Sequence, residues 1–142
     1  MECKFKKIKK SVLIFCIFNL FLSCGYFDKD KTLTEKTIVG NFKITQQENN
    51  ENTELVFSLS PQTSRGLIEN SIKIVYDSVN KKIFVEEFLN PYNSNYYMIK
   101  ILDEETSEPT RAYNKKQLTK EIYDKSINNC KGCIVVFSKR KH

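Results

Sequence analysis

The sequence predicts an α+β fold, mainly an antiparallel β-sheet of about six strands with one helix in the C-terminal half packed on one face. Three observations carry this. Six runs of five to eight residues are rich in Ile, Val, Phe and Tyr and are separated by polar or Pro-containing segments. Most connections between them are too short for a parallel crossover. One later segment spaces its apolar residues for a single helical face.

The first run, residues 38–45, holds Ile38, Val39, Phe42 and Ile44, and Gly40 within it suggests a bulge. The polar stretch 46–52 reads as a turn. Residues 54–59 form the second strand, stopped by Ser60 and Pro61, and residues 62–66 read as a loop. Residues 71–76 and 82–88 flank a five-residue polar connection and read as a hairpin. Residues 90–95 form a turn, and 96–102 a fifth strand. The acidic stretch 103–112 reads as a loop with Pro109 as a breaker. Asn114 is placed to cap a helix on which Leu118, Ile122, Tyr123 and Ile127 share a face, and Asn128 and Asn129 end it. Residues 133–137 close the sheet, followed by the basic tail Lys139, Arg140, Lys141 and His142. The helix is expected to cover one sheet face. There is no internal repeat and no heptad pattern.

The chain of 142 residues carries 28% charged side chains, which excludes a polytopic membrane protein, and its length sets an expectation of one folded domain. Charge and hydropathy are concentrated at the N-terminus. Lys4, Lys6, Lys7, Lys9 and Lys10 precede an apolar run at residues 11–22. As a helix this run would span roughly 18 Å against a bilayer core of about 30 Å. Its length and its basic flank fit an export signal.

The residues that follow, Phe21, Leu22, Ser23 and Cys24, resemble the lipobox of bacterial lipoproteins. The common pattern has Leu three places before the Cys, where this chain has Phe21. Relaxed lipoboxes of this kind are similar to those of spirochaete lipoproteins. The resemblance covers residues 1–24. It implies cleavage between Ser23 and Cys24 and diacylglyceryl attachment to the Cys24 thiol. It further implies a location in the cell envelope, at the outer membrane or cell surface rather than the inner membrane. Residues 24–36 then read as the acylated Cys and a polar tether, and residues 37–142 as the folded domain.

Cleavage would remove five of the 23 basic residues and one of the 17 acidic ones, leaving 119 residues with a formal charge of +2. The basic balance therefore belongs mostly to the signal and gives no support to a nucleic-acid partner.

Cys130 and Cys133, spaced as C-x-x-C, are the other cysteine feature of the mature chain. Three readings compete: a local disulfide in an oxidising compartment, a thiol redox site, and half of a zinc site. A redox pair usually opens a helix, whose N-terminus lowers the thiol pKa, whereas this pair follows the expected helix. Zinc would need two further ligands, and the only His is His142. The structural reading is preferred, and no cofactor or metal is expected.

One terminal His offers no Ser-His-Asp or Cys-His set. Glu86 and Glu87 are neighbours on a strand and point to opposite faces. Asp103, Glu104 and Glu105 fall in a solvated loop. Tyr92, Tyr96 and Tyr97, in and beside the 90–95 turn, are candidate partner contacts, set against simple packing of Tyr96 or Tyr97 on the sheet.

The expectation is thus a membrane-anchored lipoprotein carrying a small non-enzymatic domain that binds a protein or glycan partner. The alternatives are an exported thiol–disulfide protein using Cys130 and Cys133, and a structural component of the envelope.

Overall fold

The computed structural model describes residues 33–47 and 52–139. The export signal, Ser23, Cys24, the tether as far as residue 32, part of the 46–52 turn and the end of the basic tail, including His142, lie outside the described residues.

The fold is a β-rich α+β architecture of two antiparallel sheets. The first is a meander of β1 (Leu33–Val39), β2 (Phe42–Gln47), β3 (Thr53–Ser60) and β4 (Thr63–Ile68), in that spatial order. The second contains β5 (Ser71–Asp77), β6 (Lys82–Asn90), β7 (Asn93–Ile101), β8 (Tyr113–Leu118) and β9 (Cys133–Ser138), in the order β8-β7-β6-β5-β9. Two helices, α1 (Pro109–Ala112) and α2 (Lys120–Asn128), complete it.

Side-chain alternation makes the layers. Phe42, Ile44, Leu55 and Phe57 from the first sheet meet Ile74, Ile83, Val85, Ile99 and Ile101 from the second in one buried core. The intervening residues Val75 and Phe84 point to the opposite face of the second sheet, where Tyr123 of α2 covers them. Hence β5 is buried on both faces. The sheet is sandwiched between the first sheet and the helix.

A lysine ties the two sheets together at each lateral edge. Lys36 of β1 donates from Nζ to the Val136 carbonyl of β9 at 3.2 Å. Lys115 of β8 donates to the Leu67 carbonyl of β4 at 2.6 Å. Each satisfies a main-chain acceptor on an edge strand, the kind of group that otherwise invites pairing with another chain.

Several expectations are corrected. The 38–45 run is two strands, not one: Gly40 and Asn41 form a two-residue turn, and the register irregularity falls between Thr37 and Val39. Gly40 is therefore a turn residue, not a bulge. Its φ is +49°, and a Cβ there would lie 2.4 Å from the Glu104 carbonyl oxygen. Gly40→Ala is expected to cost about 1–3 kcal/mol, from the left-handed backbone and the displaced segment together, seen as a lower urea midpoint with unchanged slope.

β1 begins at Leu33, so the last residues assigned to the tether are already in the sheet. Residues 62–66, expected as a loop, lie mostly within β4. Four of its six residues are exposed, so no alternation marks it, yet its main chain pairs with β3. Asn114 sits in β8 opposite Lys100 and caps nothing. The helix starts six residues later, capped by the Thr119 hydroxyl, which accepts from the Ile122 amide. Leu118, Tyr123 and Ile127 still meet in the small outer core, Leu118 from the end of β8, while Ile122 is 52% exposed. Pro109 opens α1 instead of breaking structure, because its missing N–H is not needed in a first helical turn. The split first run, β4 and β8 account for nine strands instead of six.

Candidate functional site

Two regions hold the residues singled out by sequence. The first is the β6–β7 hairpin. The hairpin closes through a two-residue turn, Pro91 and Tyr92, between the paired residues Asn90 and Asn93. The Asn90 side chain accepts from the Tyr92 amide at 3.0 Å and stiffens the turn. A register irregularity between Phe88 and Asn90 interrupts the alternation just before the turn. Phe88, Leu89 and Tyr92 are left 39%, 52% and 93% exposed on one hairpin end.

The three tyrosines do not form one patch. Tyr96 faces α2, its ring 4.8 Å from that of Tyr123. Tyr97 lies on the opposite face against the inter-sheet core. Its hydroxyl donates to Glu87 at 3.2 Å, Asn95 donates to the same carboxylate at 2.8 Å, and the Lys115 ammonium sits 4.7 Å over its ring. Burial, and then the Glu87 charge, push the Tyr97 phenol above its ordinary pKa. Tyr96 and Tyr97 are packing residues, and Tyr92 alone stands in solvent. Phe88 and Leu89 were missed by sequence reasoning because they continue a strand-like apolar run. Only the irregular register reveals that they leave the core.

The second region is the C-x-x-C pair at the opposite end of the second sheet. Cys130 and Cys133 are joined by a disulfide. The turn that contains them lies on the β5–β6 hairpin. Asp77 is paired with Cys133, and both the amide and the hydroxyl of Ser78 donate to the Gly132 carbonyl at 3.2 Å. A Cβ on Gly132 would lie 2.5 Å from Val79 Cγ2, so a larger residue there would displace the exposed Val79 side chain. By loop entropy alone, a bridge closing so short a loop contributes about 2 kcal/mol.

Asp77 is buried. Its Oδ1 accepts from the amides of Val79 and Asn80, and its Oδ2 from the Asn80 side chain at 2.8 Å. Burial pushes the carboxyl up, but these hydrogen bonds, with help from Lys82, outweigh it and hold the pKa below the ordinary value of 3.8. A depressed folded-state pKa stabilises the fold above the unfolded value, and that contribution is lost as pH falls through the folded one. Acid unfolding is therefore expected to draw on Asp77 below about pH 4, and an Asp77→Asn chain should show a shallower loss of stability in that range by urea titration.

An acid and a helix C-terminus border the sulfurs, with Lys131 between the two cysteines and Lys82 near Asp77. Asp77 is adjacent, and the C-terminal end of α2 leads directly into the motif, with the Cys130 amide donating to the Ile127 carbonyl. The pair thus follows a helix and does not open one, unlike the arrangement in which a helix N-terminus lowers a thiol pKa.

The acidic residues fall into structural roles. Glu104 pairs with Lys81 at 2.6 Å, and Asp103 accepts from the Glu105 amide. Glu87 belongs to the Tyr97 network, and Glu86 lies on the other face, where burial, and then the Glu86 charge, raise the Tyr123 phenol. An open cleft of about 460 Å³ is bordered by Lys43, Ser58, Ser60 and Glu105. Lys43 is ion-paired with Glu35, and the Ser58 hydroxyl donates to the Ser60 carbonyl.

Compared with protein-family models, curated proteins and solved structures, the chain finds no match in any of the three.

Proposed function

We propose that the chain is a membrane-anchored lipoprotein, held by acylated Cys24, whose β-domain is a non-enzymatic module that binds a protein partner through the β6–β7 hairpin end. The observation that carries the binding role is the solvent exposure of Phe88 and Leu89 at the end of β6 and of Tyr92 in the adjoining stiffened turn. Scattered apolar residues on a surface need no explanation, but large ones gathered at one point mark contact sites. Tyr92 offers contact area with little entropy to lose on binding.

The chemistry around the hairpin favours a protein over an anionic bilayer. The Phe88 amide donates to the Asn70 carbonyl, which brings the exposed Glu69 to the hairpin end, and its carboxylate would repel acidic headgroups. A second pair of exposed apolar neighbours, Ile134 and Val135 of β9, is less suited to strand pairing because Lys36 already occupies the Val136 carbonyl.

Photo-crosslinking on intact cells tests the reading. A photoreactive residue at position 92 should give a discrete adduct that the same group at Val79, 71% exposed on the β5–β6 turn, does not. With the photoreactive residue kept at position 92, Leu89→Ser should sharply reduce the adduct and leave unfolding free energy within about 0.5 kcal/mol, as expected for an exposed position. Equal adducts from both positions, or none from position 92, would count against this surface. Complete protection of the domain from protease added to intact cells would exclude a partner outside the cell.

A further inference from the structure

The geometry points to a redox-gated metal site: once the Cys130–Cys133 disulfide is reduced, the two sulfurs and the Asp77 carboxylate form a three-donor set for a zinc-class divalent cation. This goes beyond the binding role of the hairpin and does not depend on it. Among the described residues, these three form a group whose donor atoms all lie within 4.8 Å of one another.

The chemistry of the donors selects the metal. Two thiolates and one carboxylate suit a borderline-soft, tetrahedral ion such as Zn²⁺, with water as fourth ligand, and not Ca²⁺ or Mg²⁺, which take oxygen ligands. The spans agree. With Zn–S of about 2.3 Å and tetrahedral angles, the two sulfurs need to part to roughly 3.8 Å. Asp77 is already held in place: three hydrogen bonds from Val79 and Asn80 fix its carboxylate, and Oδ2 accepts only one of them among the described residues, which leaves a lone pair. The contact between Gly132 and the Ser78–Val79 turn keeps the motif beside Asp77 through main-chain bonds that do not involve the sulfurs. The Asp77 carboxylate and the C-terminal end of α2 favour a cation in this place.

The gating step balances with a dithiol as reductant. Two electrons and two protons pass to the Cys130–Cys133 bond, giving two thiols, while the dithiol becomes a disulfide. The metal then replaces the thiol protons, which leave to solvent. A disulfide oxidant then takes two electrons from the two thiolates, becoming a dithiol with two protons from solvent, and the re-formed Cys130–Cys133 bond releases the metal.

Cobalt(II) is the probe, because tetrahedral thiolate coordination gives it intense visible bands and a sulfur-to-metal charge-transfer band. The protein extracted from membranes in detergent is compared oxidised and after reduction by a phosphine that is then removed. The reduced protein is expected to take up one equivalent with both band sets, and the oxidised protein none. Cys130→Ser should abolish the charge-transfer spectrum of this site, and Asp77→Asn should weaken binding at least 10-fold. No uptake by the reduced protein, equal uptake by the oxidised one, or an unchanged spectrum in Cys130→Ser overturns the proposal. Unchanged affinity in a folded Asp77→Asn chain removes Asp77 from the set and overturns it as stated. Should that variant fail to fold, the redox comparison and Cys130→Ser, which leaves the β5–β6 turn intact, still decide.

Discussion

A Phe57→Ala chain is expected to lose about 3–5 kcal/mol of stability, at the upper end of what a single core truncation costs. Phe57 is fully buried in the middle of β3. Its ring meets Phe42 edge-on at 5.0 Å and Tyr113 at 5.4 Å, and those two rings lie 5.7 Å apart. Phe42 comes from the neighbouring strand of the same sheet, whereas Tyr113 comes from β8 of the other sheet. Truncation therefore opens a cavity between the two sheets. A small domain has about 5–15 kcal/mol in total, so such a loss would leave little margin. The expected readout is a fall of at least about 10 °C in the thermal midpoint, at roughly 4–8 °C per kcal/mol for a domain of this size. Phe57→Leu, which retains most of the volume, should lose about 1–2 kcal/mol. A loss below about 1 kcal/mol in Phe57→Ala would mean that the two sheets do not share this core.

The second large effect concerns anchoring. Cys24→Ala is expected to move the protein from the detergent phase to the aqueous phase in temperature-induced phase separation. Each buried methylene contributes about 0.8 kcal/mol, so two long acyl chains supply on the order of 20 kcal/mol, enough to hold any water-soluble domain. Among the described residues, no helix is long and apolar enough to cross a membrane. Intact mass measurement of the extracted parent protein should give a chain beginning at Cys24 with added diacylglyceryl mass. A parent chain that begins at Met1 without lipid, together with a Cys24→Ala form that stays with detergent, would transfer the anchoring role to the apolar run at residues 11–22.

β5, β6 and β7 are legible in the sequence because their residues are buried on one or both faces and their turns are rich in Asn, Ser and Pro. β4 and β8 are not. Residues 63–66 and 114–117 are exposed, and an edge strand joins its sheet through main-chain hydrogen bonds that require no particular side chains. The periodicity that reveals the helix also places its start too early, because Leu118 satisfies a helical spacing and equally ends a strand. At the two sites, the disulfide pair is visible as a spacing. Its neighbour Asp77 lies 53 residues before Cys130 and becomes one only when β9 pairs with β5. Tyr92, Tyr96 and Tyr97 look like one cluster in the chain, but the alternation of β7 sends Tyr96 and Tyr97 to opposite faces.

From the amino-acid order alone follow the antiparallel β character, the helix in the C-terminal half on one sheet face, and the expectation of export and acylation at Cys24. Those features depend on local periodicity, short connections and a contiguous signal. Tertiary structure decided that the strands divide into two sheets, that a lysine ties each pair of sheet edges, and that Asp77 lies beside the cysteine pair. A strand's pattern states which of its faces is buried, but its partner across the core is selected by the packing of the whole chain.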